Sequence, residues 1–212
     1  MDLLKKYFPQ ITEFQVEKLI LFKDLIKQWN KKINLVSRKD VENFEVNHML
    51  HSLSISKFIK FKKDTQILDL GTGGGLPGIP LSIFFPYSKF KLIDRKNKKI
   101  NVLNEIIRKL GINNASAQNI DIIDSNHNYD FIVNRAVTSA DNLIKLCKGK
   151  INYKCENKIK NGIICLKGGN LNSELKNINK FQIVELKTFF SEQFFETKKI
   201  LYIPNPYSHM DS

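Results

Sequence analysis

Asp69-Leu70-Gly71-Thr72-Gly73-Gly74-Gly75-Leu76-Pro77-Gly78 lies between a short apolar run, Ile67 to Leu70, and a stretch of helical spacing, Pro77 to Phe84. Five glycines there exceed what a plain turn requires. Glycine adopts positive φ without steric cost and lets backbone approach a bound molecule closely, so the stretch predicts a nucleotide-like ligand at a strand-to-helix turn.

Which nucleotide depends on the flanks. Gly73-x-Gly75-x-x-Gly78 formally matches a dinucleotide fingerprint, and Asp94, about 20 residues beyond Gly75, suits a ribose-binding carboxylate. An NAD-dependent oxidoreductase is therefore one reading. Two features favour S-adenosyl-L-methionine. Asp69, two residues before the first glycine, can meet a cationic methionine moiety but would crowd a pyrophosphate. Pro77 fits a first helical turn without the free amide that a phosphate wants. Asp94 also suits a cap for the helix beginning near Lys96.

Outward from the loop, strands and helices alternate. Strands are expected at Ile67 to Leu70, Phe90 to Ile93, Ala115 to Gln118, Tyr129 to Asn134 and Gly162 to Leu166. Helices are expected at Pro77 to Phe84, Lys96 to Leu110 (stopping at Gly111) and Ala140 to Lys148. This order predicts an α/β fold with a Rossmann-like, mostly parallel sheet covered on both faces. Two late runs, Phe181 to Phe190 and Lys198 to Ile203, joined by a short polar segment, predict an antiparallel edge hairpin. Upstream, Thr12 with Gln15 forms a capping-box start to an amphipathic helix running through Val16, Leu19, Phe22 and Ile26, and a second helix is expected from Val41 to Phe58. The expected division is an N-terminal helical extension docked on the core (1–63), a Rossmann-like domain (64–204) and a tail (205–212).

The 212 residues carry 34 Lys+Arg against 21 Asp+Glu, a net charge of +13. That excess suits a polyanionic partner such as RNA as well as a solvated lysine coat. Lys31, Lys32, Arg38 and Lys39, with Lys96, Lys98 and Lys99, are candidates to track phosphates. Cys147, Cys155 and Cys165 form no disulfide pattern, residues 1–7 have no apolar signal core, and no run is long enough to span a bilayer, so a reducing cytoplasm is expected. His48 and His51 have metal-compatible helical spacing but no third ligand, so no metal is expected. Nucleophile-elbow and P-loop patterns are lacking, which removes hydrolase and phosphotransferase readings.

The run Asp69 to Ile83 closely resembles the motif of the RsmG (GidB) family of bacterial small-subunit ribosomal RNA methyltransferases, Gly-Thr-Gly-x-Gly-x-Pro-Gly-Ile-Pro-Leu after a first strand. Trp29-Asn30-Lys31, then Asn34-Leu35 and Arg38, resemble its pre-domain signature. His48-Met49-Leu50-His51-Ser52-Leu53 resembles its His-x-x-Asp-Ser-Leu, Asn134-Arg135-Ala136 its Ser-Arg-Ala, and Leu166-Lys167-Gly168 its Leu-Lys-Gly. The chain departs at His51, where the family has aspartate, and at Asn119-Ile120-Asp121, where it has Arg-x-Glu.

The resemblance implies a class I methyltransferase fold and S-adenosylmethionine-dependent methylation of a guanine N7 in 16S (small-subunit) ribosomal RNA, free or in a ribosomal particle, and a monomer is expected. It implies cofactor contacts from Gly71 and Leu76, with Ile120 and Asp121 along the adenine and Arg135 bordering the methionine end and the target base. Gly73, Gly75, Asp69 and Asp94 join them on the physical argument above. Arg135 and Lys167 are candidate donors that orient the base. An RNA-binding assembly factor that keeps the fold without the reaction is the alternative from outside enzymology.

Overall fold

The computed structural model describes residues 2–37, 41–135 and 138–207. Arg38 and Lys39 of the expected phosphate track, Ala136 and residues 208–212 of the expected tail lie outside the described residues. The chain opens with α1 (Asp2–Tyr7) and α2 (Glu13–Asn30). The capping box forms at Thr12: the Gln15 N–H donates to Thr12 Oγ1 at 3.2 Å, and the Thr12 N–H donates to Gln15 Oε1 at 3.0 Å. The same Gln15 side chain donates to the Ile83 and Phe84 carbonyls, which ties α2 to the helix after the glycine loop.

The stretch expected as one helix from Val41 is broken. A π-helical turn covers Glu45–Leu50, followed by α3 (His51–Leu53) and α4 (Ile55–Phe58). The cause is local: the Ser52, Ser54 and Ser56 hydroxyls donate to the His48, His51 and Leu53 carbonyls at 2.7, 2.6 and 2.7 Å, competing with the helical ladder.

The sheet strands are β1 (Gln66–Leu70), β2 (Lys89–Ile93), β3 (Ala115–Gln118), β4 (Phe131–Arg135), β5 (Gly162–Gly168), β6 (Gln182–Glu185) and β7 (Lys198–Pro204). The intervening helices are α5 (Gly78–Phe84), α6 (Asn97–Leu110), α7 (Ala140–Leu146) and α8 (Asn172–Leu175). Strand order is β3-β2-β1-β4-β5-β7-β6, parallel through β5 and antiparallel at β5–β7 and β7–β6. The order reverses between β1 and β4, and such a switch point opens a crevice beyond the carboxyl ends of the strands.

Two features differ from expectation. Tyr129 makes only an isolated bridge to Ile151, because Asp130 spends its carboxylate on the Gln66 N–H and the Asn152 amide. Helix α6 ends as expected, at Gly111 with φ +55°. In the C-terminal hairpin only β6 is at the edge. The chain between its strands is not a short polar link: Leu186, Phe190 and Phe195 turn inward through 3-10 turns and are buried.

Alternation along β1 and β5 sends Ile67 and Ile164 to one face, Leu68 and Ile163 to the other. The first face is covered by α5, α6 and the N-terminal helices, and residues of α1 and α2 share its core. Tyr7 stacks edge-on to Phe190 at 4.8 Å, and Phe8 to Phe84 at 5.4 Å.

Candidate functional site

Each glycine of the loop answers a specific steric demand. Gly71, Gly73 and Gly75 have φ of +69°, +58° and +84°. A Cβ on Gly78 would stand 2.7 Å from Asp69 Oδ2, and one on Gly74 would stand 3.1 Å from the Leu35 carbonyl oxygen. The Asn30 side chain places that carbonyl's segment, since its Oδ1 accepts from the Leu35 and Val36 N–H groups at 2.8 and 3.1 Å. The pre-domain signature is thus a clamp on the outer side of the loop.

Asp69 is not on the crevice wall. It is fully buried beneath the loop, where Oδ2 accepts from the Thr72 hydroxyl at 2.5 Å and the Gly78 N–H at 2.8 Å. Burial pushes its carboxyl up to about 7, against the opposing pull of those two hydrogen bonds and of Arg135. Among the described residues, its Oδ1 has no hydrogen-bond partner. Below about pH 4 the group is protonated in folded and unfolded chains alike. As pH rises, the unfolded chain ionises first, so this contribution to stability falls until about pH 7 and is flat above it. Asp69→Asn, which keeps the acceptor and removes the titration, is expected to flatten that fall by up to roughly 4 kcal/mol. Urea melts of both proteins across the window measure the difference; parallel curves would contradict it.

Beyond β1 and β2 a crevice of about 590 Å³ is lined by Gly71, Asp94, Ile120 and Asp121, with apolar walls from Leu70, Ile93, Ile122 and Leu146. Asp94 links the loop to the next helix: Oδ2 accepts from the Gly73 N–H at 3.0 Å and Oδ1 from the Lys96 N–H at 2.8 Å. The cap and the binding reading therefore coexist, because a carboxylate has about four lone-pair sites and two remain for ribose hydroxyls. Asp121 pairs with Arg95 at 2.6 Å. Asn119, one of the departures from the family pattern, donates from Nδ2 to the Asp94 carbonyl at 2.8 Å and joins the ends of β2 and β3. Gly73 and Gly75 shape the loop without lining the crevice, and Leu76 is core.

Asp94→Ala is expected to weaken S-adenosylmethionine affinity by about tenfold or more while lowering stability by only about 1–2 kcal/mol, the scale of lost hydrogen bonds to partly exposed amides. Calorimetry paired with thermal melts separates the two; equal affinity would remove Asp94 from the site.

A second crevice, about 850 Å³, opens beyond β4 and β5 and shares Thr138 with the first. Arg135, Lys167, His48, His51, Phe194 and Lys198 line it. Arg135 Nη1 donates to His48 Nδ1 at 2.6 Å and to the Asn47 carbonyl at 3.4 Å, so it pairs with a histidine from the π-helical turn. Lys167, at the end of β5, is not free to act as a donor to a base. Its side chain is 9% exposed, and its ammonium is held by Glu174 and by the Thr138 carbonyl at 2.7 Å. It therefore positions the Thr138 segment.

Thr72, Thr138, Glu174 and Arg95 belong to this arrangement and were not singled out from sequence. Thr72 sits inside the glycine motif and was the one with a readable signal; the others are joined only by the fold. Among the described residues, no group of three or more His, Cys, Asp or Glu could hold a metal ion, and no helix is long and apolar enough to cross a membrane.

A family model described as rRNA small subunit methyltransferase G (GidB) matches residues 15–200. A ribosomal RNA small subunit methyltransferase G from Christiangramia forsetii is 47% identical over 207 residues, spanning 98% of each chain. One from Phocaeicola vulgatus is 44% identical over 204 residues, spanning 96% of this chain and 98% of its own. In fold, the chain resembles a SAM-dependent methyltransferase from Aquifex aeolicus, with a TM-score of 0.56 at 14% identity over 85% of this chain and 97% of that one. The oxidoreductase reading of the glycines falls with these matches. The clamped glycine loop, the carboxylate at the end of β2 and a match over most of the sequence place this chain in the GidB family, rRNA small subunit methyltransferase G.

Proposed function

We propose that the protein transfers a methyl group from S-adenosylmethionine to N7 of a guanine in small-subunit ribosomal RNA, acting as a cytoplasmic monomer. The observation that carries this reading is the pair of crevices meeting at Thr138 over the switch point, one suited to a nucleoside and the other lined by Arg135, Lys167 and Lys198 together with Asp141 and Glu174. Residues 1–63 serve as the clamp on the glycine loop, and 64–204 as the transfer domain.

The donor fits the residues present: Asp94 supplies acceptors for ribose hydroxyls, Gly71 allows close backbone approach, and Ile120 and Asp121 border an apolar slot for the adenine. When bound, the cofactor supplies a methyl group on a positively charged sulfur. Guanine N7 has a lone pair and no proton, so the chain need supply no general base. Its task is alignment, a proximity effect that contributes several kcal/mol. Arg135 orients the base by donating toward its O6, steadied by His48. Lys167, through Glu174 and Thr138, fixes the wall between the crevices. Asp69 holds the loop through Thr72 and Gly78 rather than meeting the donor.

Lys31, Lys32, Lys96 and Lys98 are exposed and Lys99 is half-buried, so these ammonium groups are available to the RNA backbone. With about five phosphate contacts, the second-order rate of methylation is expected to fall on the order of 100-fold between about 50 and 200 mM salt. A flat profile would contradict the phosphate track.

The test of the function is incubation with radiolabelled S-adenosylmethionine and unmodified small subunits, followed by mapping of the label. Label on one guanine as 7-methylguanine is expected. Absence of label under conditions where the donor binds would overturn the reading in favour of an RNA-binding assembly factor.

A further inference from the structure

Within the second crevice, His51 is the residue whose chemistry is least accounted for. It is 5% exposed, and Phe194 and Phe195 stand edge-on to its ring at 5.3 and 6.2 Å. The ring bonds to the Asn47 backbone, while Nε2 has no hydrogen-bond partner among the described residues. That bond is therefore made by Nδ1–H to the carbonyl, which leaves Nε2 as a bare lone pair. Burial first, then the positive charge of Arg135 and Lys198 and the neighbouring His48, hold the ring's pKa well below its ordinary value and so keep it neutral. A buried nitrogen without a partner in a ligand crevice calls for a donor supplied by the ligand.

The rest of the crevice fits the same division. Arg135, Lys167 and Lys198 present donors. Glu174 already accepts from Lys167 and from the Ala140 N–H, and Ser139 caps α7. Asp141, in the first turn of α7, also lines the crevice, and its carboxylate is a second acceptor there. Guanine is polar in the matching sense: its N7 and O6 accept, and its opposite edge carries the N1–H and 2-amino donors, whereas adenine places an acceptor at N1. Resting on the guanine-methylation reading above, we propose that His51 is a specificity-determining residue whose Nε2 accepts a hydrogen bond from the N–H edge of the target guanine. A carboxylate at this position would accept from the same edge; the neutral ring does so without adding a charge.

The test pairs atoms deleted from the base with the acceptor deleted from the protein. Small-subunit RNA carrying guanine, inosine (no 2-amino group) or 2-aminopurine (no N1–H and no O6, the latter loss being common to all the variants) at the target is methylated by wild type, by His51→Gln, which keeps an acceptor, and by the acceptor-free His51→Leu and His51→Phe. Melting temperature and S-adenosylmethionine affinity select variants that fold, and two acceptor-free shapes guard against the loss of one. Wild type and His51→Gln are expected to disfavour at least one analogue by about tenfold more than the acceptor-free variants do. Differences in N7 reactivity among the bases cancel in that comparison. Equal discrimination by wild type and the acceptor-free variants, or equal rates of wild type on all three bases, overturns the assignment. Failure of wild type to methylate the guanine RNA at all would instead overturn the broader function.

Discussion

Gly75→Ala is expected to lower stability by about 2–5 kcal/mol, which for a chain of this size lowers the melting temperature by roughly 5–15 °C. Two costs combine. At φ +84° an L side chain is strained by about 1–2 kcal/mol. The added Cβ would also stand 2.6 Å from Ile79 Cγ1 and 3.0 Å from Leu103 Cδ2, between α5 and α6, and such overpacking costs about 1–3 kcal/mol. Gly149 is the control: its φ is +70° but a Cβ there meets nothing within 4 Å, so Gly149→Ala should cost only the backbone share, about 1–2 kcal/mol. Urea melts of the two variants side by side measure the steric part. Equal losses would mean that the loop is not wedged between its helices.

Lys167→Met is expected to cost about 3–5 kcal/mol, because it strands a carboxylate in a mostly dry site. The Glu174 side chain is 18% exposed, and without the ammonium it keeps, among the described residues, the Ala140 N–H at 2.5 Å. Replacing both partners, Lys167→Met with Glu174→Gln, removes the unpaired charge and should recover most of the loss, so the double-mutant cycle reports a coupling well above that of an exposed ion pair. A single-variant cost below about 1 kcal/mol would show the pair to be solvated. The double variant should still methylate more slowly than wild type, since the Thr138 carbonyl loses its hold.

The sheet was legible because it rests on local patterns. Alternation of strand and helix spacing located the five parallel strands, and Thr12 with Gln15 and Gly111 marked helix ends whose capping chemistry is written in adjacent residues. What escaped depends on distant partners. The break between Glu45 and Phe58 comes from three serines bonding backward to carbonyls, and the inward turn after Glu185 comes from Phe190 meeting Tyr7 and Phe8 and stacking on Phe195. Neither has a periodic signature.

The candidate site divides in the same way. Gly71, Asp94, Ile120 and Asp121 meet on one crevice as their positions at strand ends require. Asp69 lies two residues before the first glycine, and its place in the motif invites a ligand contact, yet alternation along β1 and the approach of Gly78 bury it. Lys167 reads as a free donor until Glu174 arrives from the following turn. Position along a strand end tells which residues gather, but not which of them spend their polar atoms on one another.

The central claim is that the crevice beyond β1 and β2 holds the methyl donor. A crystal structure with S-adenosylhomocysteine tests it most directly: ribose hydroxyls within hydrogen-bonding distance of Asp94, adenine beside Ile120 and sulfur toward Thr138 are the expected result. The ligand lodged elsewhere, or its ribose turned away from Asp94, would contradict the account.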